Sequence, residues 1–301
     1  MTETFKAELA LDARATLGEC IRWDAREGRI YWVDIPGKKM HRYDPANGRD
    51  DSVDLAQEMG CFAQDEHGGF IAGMRSGYAR IKRFGGDTTL LTSPDYDPTR
   101  ARFNDGRCDA AGRFWAGTMW EPRDKAGAYV YCLETDGRFS AKAHPVVLAN
   151  GITFSPDNKT FTLADTPSHV LWAFDYDIDD AAVSNQRVLR TFNPPEGRPD
   201  GACVDAEGNV YIAIFAGGRV EKISPKGELL AVIELPVPNI TCCTFAGDDL
   251  QTLYITTART RMTDVELAAK PQAGGLFAIR MPSQHAPGIL EPRYAAKPEA
   301  P

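Results

Sequence analysis

A short phrase recurs along the chain: a polar turn, then a run of four to six mostly apolar residues rich in aromatic and β-branched side chains. It reads GRIYWVD from Gly28, GGFIAGM from Gly68, GRFWAGT from Gly112, NKTFTLAD from Asn158, GNVYIAI from Gly208 and QTLYITTA from Gln251. Such runs are too short for helices and have strand composition. Aligned on Tyr31, Ile71, Trp115, Phe161, Tyr211 and Tyr254, they are 40, 44, 46, 50 and 43 residues apart, a blade-sized period. Each run is followed by a second alternating segment, KKMHRYDP, GYARIKRF, AYVYCLET, HVLWAFDY, GRVEKISP and GGLFAIRM, which reads as the neighbouring strand. Turn signals such as PANG, FGGD, ETDG and DAEG punctuate the units. The pattern predicts an all-β, six-bladed β-propeller, with residues 1–301 in one domain because each sheet buries its face against the next. A β-sandwich would not make one phrase recur six times. RMTDVELAAKPQAGG is the one candidate for a helical turn or loop insertion. The tail APGILEPRYAAKPEAP, rich in Pro and Ala and without periodicity, is predicted to be poorly ordered from about residue 286.

Charge narrows the partners. The 301 residues carry 34 Lys+Arg against 42 Asp+Glu, a net charge of -8 that disfavours nucleic acid and anionic membranes. No run of about 18 apolar residues occurs, and acidic residues stand where a signal peptide would have a basic head, so a cytoplasmic protein is expected. Seven cysteines are scattered without a CxxC, which predicts reduced core thiols. The five histidines lack HxxH or HExxH spacing, and His144 and His169 read as structural. No GxGxxG, P-loop or GxSxG is present. Oligomeric state is left open.

In a propeller the first strand of each blade lines the central channel. Stepping back 11 or 12 residues from each aligned position gives Glu19 or Cys20, Gly60, Asn104, Asn150, Asp200 and Cys243. Oxygen-bearing side chains from different blades thus fall at one register and converge on a common axis. Asp and Asn beside Gly or Pro are ordinary turn formers, but turn chemistry alone does not require a shared register. Carboxylates and amide carbonyls without His or Cys make a hard oxygen site for one divalent metal ion. Ca²⁺, Mg²⁺ or Mn²⁺ would suit it, and Zn²⁺ or iron would also bind, so the metal's identity stays open.

The stretches TLGECIRWD, YWVDIPGKK, RFNDGRCDAAGRFWAGTMWE, LANGITFSPD, DGACVDAEGNVYIA, GGRV and QAGGLFAI resemble the family of senescence marker protein 30, also called regucalcin, and the bacterial sugar lactonases within it. The likeness runs from about residue 6 to residue 281. It implies a propeller with one divalent metal in the channel and hydrolysis of aldonolactones. By the same resemblance the metal ligands are Glu19, Asn150 and Asp200, while Arg102 and Asn104 of the RFND motif reach the sugar and the metal-bound water. Glu121 matches a position that contacts sugar hydroxyls, and Trp120 stands where relatives vary and is a candidate to stack on a sugar face or to cap the core. Cys20, directly after Glu19, departs from the small residue or proline common in relatives and would put a thiol near the metal.

Lactone hydrolysis needs a polarised carbonyl and an activated water, which a bound cation supplies. Asp200 is the candidate proton acceptor and Arg102 the residue that orients the lactone by charge-assisted hydrogen bonds. Asn104 would orient water or substrate. Asp165, after the fourth blade's phrase, is a further acid that could lie near the channel. The expected activity is metal-dependent hydrolysis of a pentono- or hexonolactone, a small-molecule sugar lactone, to its aldonic acid. The alternatives are a non-catalytic calcium-binding regulatory protein and a metal-dependent aryl ester or organophosphate hydrolase on the same fold.

Overall fold

The computed structural model describes residues 2–143 and 145–297. Its strands form six sheets, antiparallel but for one added strand, arranged as the blades of a propeller. The recurring phrase forms the second strand of every blade: Arg29–Asp34, Phe70–Met74, Phe114–Trp120, Thr160–Asp165, Val210–Phe215 and Thr252–Thr257. The segments expected to pair with them do so, from Lys39–Asp44 in blade 1 to Leu276–Arg280 in blade 6. The inner strands are Gly18–Asp24, Met59–Gln64, Ala101–Cys108, Ala149–Phe154, Arg198–Val204 and Ile240–Ala246. Each packs against the inner strands on either side, and blade 6 returns to blade 1.

Hairpin chemistry repeats with the blades. At the end of the inner strand the carboxylates of Asp24, Asp65, Asp109 and Asp205 each accept the backbone N–H two residues on, at 2.8 to 3.0 Å. Gly112 (φ 77°) and Gly208 (φ 81°) take the left-handed conformation these tight turns require. Aromatic side chains then bind blade to blade. Tyr31 meets Phe70 at 5.0 Å, Tyr78 meets Phe103 at 4.5 Å, Trp115 meets Phe154 at 5.5 Å and Tyr211 meets Phe245 at 4.9 Å, between ring centres. Each such ring, fully buried, contributes roughly 1.5–3 kcal/mol from removal of apolar surface from water.

The ring is closed by the start of the chain. Glu8–Leu11 is the outermost strand of blade 6, antiparallel to Leu276–Arg280, and Glu3–Lys6 adds a fifth, parallel strand to blade 5. The predicted helical insertion is the helix Asp264–Ala269, started by a capping box between Thr263 and Glu266. No helix among the described residues is long and apolar enough to cross a membrane. All seven cysteines are buried free thiols.

The tail corrects the expectation of disorder. As far as Lys297 it runs across the end of the channel where the inner hairpins turn: Ala206 donates to Pro287 O (2.8 Å), Tyr294 donates to Gln64 O (2.8 Å) and Lys297 to Thr135 O (2.7 Å). Tyr294 is only 3% exposed. Glu291 sits over the axis and receives Arg22 of blade 1 at 3.0 Å and Arg107 of blade 3 at 2.5 Å. The Arg22 contact lacks hydrogen-bond alignment and is electrostatic. Prolines that prevent periodicity do not prevent docking, because these partners come from other blades. Residues 298–301 lie outside the described residues.

Candidate active site

The opposite end of the channel is open. Every inner strand carries one extra residue relative to its neighbour at the same level, between Glu19 and Arg22, Met59 and Cys61, Phe103 and Gly106, Asn150 and Thr153, Pro199 and Ala202, and Ile240 and Cys242. These bulges re-aim the side chains beside them toward the axis. Four sit next to a predicted site residue. As a result Glu19, Arg102, Asn104, Asn150 and Asp200, from four different blades, line one cavity of about 180 Å³. All five are buried, between 2% and 8% exposed.

Blades 2 and 6 supply no inner-strand carboxylate or amide at this level. A Cβ on Gly60 would lie 2.1 Å from the Phe103 carbonyl oxygen, so the two inner strands touch where a side chain would stand. The Cys243 thiol turns to Cys203, 3.6 Å away in the interface of blades 5 and 6. Cys20 adopts φ 48°, and its sulfur accepts the Phe62 N–H at 3.1 Å and points into the interface of blades 1 and 2. Burial pushes that thiol up to about 12, and its sulfur contacts the Phe62 backbone of blade 2.

Hydrogen bonds fix the amides. An Arg102 guanidinium N–H donates to Asn104 Oδ1 (2.9 Å) and to Phe103 O (2.8 Å). Asn104 Nδ2 then donates to Ala149 O (3.0 Å) and Asn150 Oδ1 (2.9 Å). Asn150 Nδ2 donates to Thr166 Oγ1 (2.9 Å), whose hydroxyl donates to Pro199 O (2.8 Å). A guanidinium can only donate and a carbonyl only accept, so the relay has one consistent direction. It joins blades 3, 4 and 5 and leaves Asn150 Oδ1 a free lone pair.

The carboxylates are under-compensated. Among the described residues neither Glu19 nor Asp200 has an ion-pair partner, and Glu19 accepts only the Cys20 N–H at 3.2 Å. Burial, then the Asp105 charge, pushes Glu19 up to about 8, against the Cys20 N–H, Arg102 and Arg22. Asp200 is pushed well above the carboxylate range by burial, then Glu19 and Asp105. Asp105 itself accepts Gly106 N–H (2.8 Å) and Ile152 N–H (3.0 Å). Two buried acids and an amide oxygen around a cavity, with no cation from the chain between them, fit a hard divalent ion. Among the described residues no group of three or more His, Cys, Asp and Glu side chains is arranged to hold a metal, so such a site depends on the Asn150 amide.

Arg102 is held from behind. Glu58 lies 3.7 Å and Glu121 3.8 Å from its Nε, and Arg75 bridges those two acids at 2.5 and 2.7 Å. Burial keeps the Arg102 guanidinium below its usual range, offset by Glu58 and Glu121. Glu121 does not line the cavity. Trp120 does not either, and of its two candidate roles, sugar stacking and core capping, its placement matches the second. Its ring lies in the core of blades 3 and 4 under Arg100 (4.6 Å) and Lys125 (4.7 Å), and its Nε1 donates to Asp124 at 2.6 Å. Asp165 is likewise structural, accepting the Val147 and Leu148 N–H groups. His169 faces Gly197 O at 3.1 Å, away from the cavity, and His144 lies outside the described residues. Sequence reasoning missed Thr166, Arg123, Arg198 and Arg261, which line the cavity from loops and strand ends where no repeat register applies.

Comparison with known proteins places this geometry. Residues 17–259 match the SMP-30/Gluconolactonase/LRE-like region, and the chain belongs to that family. It is 40% identical to a 6-deoxy-6-sulfogluconolactonase of Pseudomonas putida, over 98% of this chain and 100% of the relative. It is 34% identical to regucalcin of Danio rerio, over 92% and 94% of the two chains. The crystal structure of a calcium-binding protein, regucalcin, from Agrobacterium tumefaciens superposes with a TM-score of 0.92 at 26% identity, over 98% of this chain and 99% of that one.

Proposed function

We propose that this protein is a sugar lactonase that opens the ring ester of a pentono- or hexonolactone to the aldonic acid, with a divalent cation held by Glu19, Asn150 and Asp200. The observation that carries the reading is the pair of buried, uncompensated carboxylates facing the same cavity as the Arg102–Asn104 relay. Lactonases among its relatives support it. The chemistry supplied by a bound divalent cation is Lewis-acid polarisation of the ester carbonyl and charge compensation of the two acids.

The chain's own groups do the rest. Arg102 spends one nitrogen on Asn104 and the Phe103 carbonyl and keeps other N–H groups for lactone oxygens. Asn104 has both amide protons engaged, so it acts by setting the positions of Arg102 and Asn150. Asp200 accepts the proton of the attacking water and returns it to the ring oxygen as the carbonyl carbon–oxygen bond breaks, giving one carboxylic acid and one hydroxyl. Free thiols and net negative charge agree with work in the cytoplasm.

The test is turnover of a panel of pentono- and hexonolactones, followed by proton release, on chelator-stripped protein with and without added divalent cations. Hydrolysis restored by a cation supports the reading. Cation binding without turnover of any lactone would instead favour a calcium-binding protein, the description its structural relative carries.

A further inference from the structure

The rim of the cavity is basic in a chain that is acidic overall. Arg123 follows the second strand of blade 3, Arg198 opens the inner strand of blade 5, and Arg261 lies in the loop after the second strand of blade 6. Three separate parts of the chain bring these guanidiniums to the cavity that Glu19, Asn150 and Asp200 line. Among the described residues none of the three has an ion-pair partner, although the chain has 42 acids to offer. The nearest candidates are committed elsewhere: Glu121 is held by Arg75, and Asp200 belongs to the cation set. Arg198 lies 5.7 Å from the centre of the Phe215 ring, a contact that positions its guanidinium at the rim. Arg123 feels the other two charges. Arg123 is held below its usual range by burial first, then by Arg261 and Arg198, with Asp200 and Glu121 opposing.

Gathering like charges without partners is unfavourable in the free protein, and a bound anion relieves it. A neutral polyol leaves the guanidinium N–H groups to water. An oxyanion accepts several of them at once, in the fork geometry that suits carboxylate, sulfonate or phosphate oxygens. The carboxylates and Arg102 occupy the buried floor, where the ring ester would lie, so the rim faces the other end of the same substrate.

We propose that Arg123, Arg198 and Arg261 form a subsite for an anionic group carried by the lactone at the end remote from its ring carbonyl. This rests on the lactonase reading. The shared chemistry is a terminal sulfonate, phosphate or carboxylate, and the experiment separates the three.

Gluconolactone and its counterparts bearing a 6-sulfonate, 6-phosphate or 6-carboxylate are compared by kcat/KM on the cation-loaded protein and on R123Q, R198Q and R261Q. The expected result is a preference of roughly tenfold or more for at least one anionic lactone over the neutral one, weakening as salt is raised. Each variant reduces that preference by roughly tenfold, and the best anionic lactone identifies the group. Equal or better turnover of the neutral lactone, or a preference that no variant moves, overturns the subsite. Calorimetric binding of the ring-opened acids, with and without the terminal anion, separates the two readings. Tighter binding of the doubly charged acid, lost in R261Q, keeps the subsite even if no lactone turns over and the lactonase reading fails. Turnover of the neutral lactone with no such preference in kinetics or binding removes the subsite alone.

Discussion

Glu291 is the most consequential residue outside the cavity, and its removal has a calculable cost. Its side chain is 12% exposed and serves Arg22 and Arg107, whose side chains are 1% and 6% exposed. Replacing it by Ala leaves two guanidiniums in the channel with no carboxylate, and breaking a buried pair by removing one partner typically costs about 3–5 kcal/mol. Backbone carbonyls still satisfy part of both groups: Arg22 donates to Ile21 O and Gly106 O, and Arg107 to Ile152 O and Ala202 O. The lower half of that range is therefore expected. A chain of 301 residues has an unfolding entropy near 0.6 kcal/mol per kelvin at its midpoint, taking about 2 cal/mol/K per residue, so Tm should fall by about 5–7 °C. Glu66→Ala, which breaks the exposed pair with Arg26 (48% and 53% exposed), is the control and should shift Tm by no more than about 2 °C. The assay is a thermal melt followed by far-UV circular dichroism. A Glu291→Ala melt within 1 °C of the parent would show that the tail is decoration and that the buried arginines are compensated by their carbonyls alone.

Three further predictions concern the floor of the cavity. Asp200→Ala should abolish cation binding in a calorimetric titration and lower turnover by about 10³-fold, with the circular dichroism spectrum kept, whereas Arg102→Lys should keep the cation and lose roughly 10- to 100-fold in kcat/KM; unchanged turnover in either variant removes that residue from the chemistry. In chelator, the acid that burial pushes up to about 8 makes folding favour the protonated form, so stability is highest below the unfolded value of 4.5 and declines as pH rises toward 8. The share lost through Glu19 is at most about 5 kcal/mol, from about 1.4 kcal/mol per unit, and Asp200, also pushed up, adds a loss of the same sign. Glu19→Gln should lessen the decline in urea melts taken across that range, with Asp200 keeping part of it, and equal pH profiles for the two proteins would refute it.

Legibility in the sequence followed the physics of repetition. Hairpins repeat because the same Asp and Gly solve the same turn in successive blades, so the six strands and their spacing could be read from Gly28, Gly112 and Gly208 outward. Glu19, Asn104, Asn150 and Asp200 were legible for the same reason, since all stand beside a bulge that recurs at one level. The step back is 12 residues in blade 1 and 11 in blades 3 and 5 because the hairpin joining the two strands is one residue longer in blade 1: Tyr31 pairs with Arg22, whereas Trp115 pairs with Arg107 and Tyr211 with Cys203. Cys243 shares the spacing, but its thiol faces Cys203. Trp120 stayed open between stacking on a sugar and capping the core because composition cannot say whether an aromatic ring beside a loop faces solvent or core; it packs in the core of blades 3 and 4. Arg123 and Arg261 were invisible because they occupy loops whose paths no period constrains.

The charges along the axis fall into layers, and the layering gives the channel a direction. At one end Glu291 closes over Arg22 and Arg107, two cations buried with a shared acid. Next come Asp105, Glu19 and Asp200; the Asp105 charge raises the proton affinity of the other two, and neither Glu19 nor Asp200 has an ion-pair partner among the described residues. Arg102 stands beside them, restrained by Glu58 and Glu121, and Arg123, Arg198 and Arg261 ring the mouth. With the far end closed by the tail, a ligand reaches the acids only past the arginines. An anionic or strongly dipolar molecule is therefore drawn to the rim first and meets the acids with their charge offset by a bound cation or, below about pH 8, by protons. That order makes the chain's electrostatics depend on cation occupancy in a measurable way: above pH 8, where Glu19 gives up its proton, chelation should weaken binding of an aldonic acid, although Arg102 and the rim arginines are untouched, because its carboxylate would then face the Glu19 charge directly.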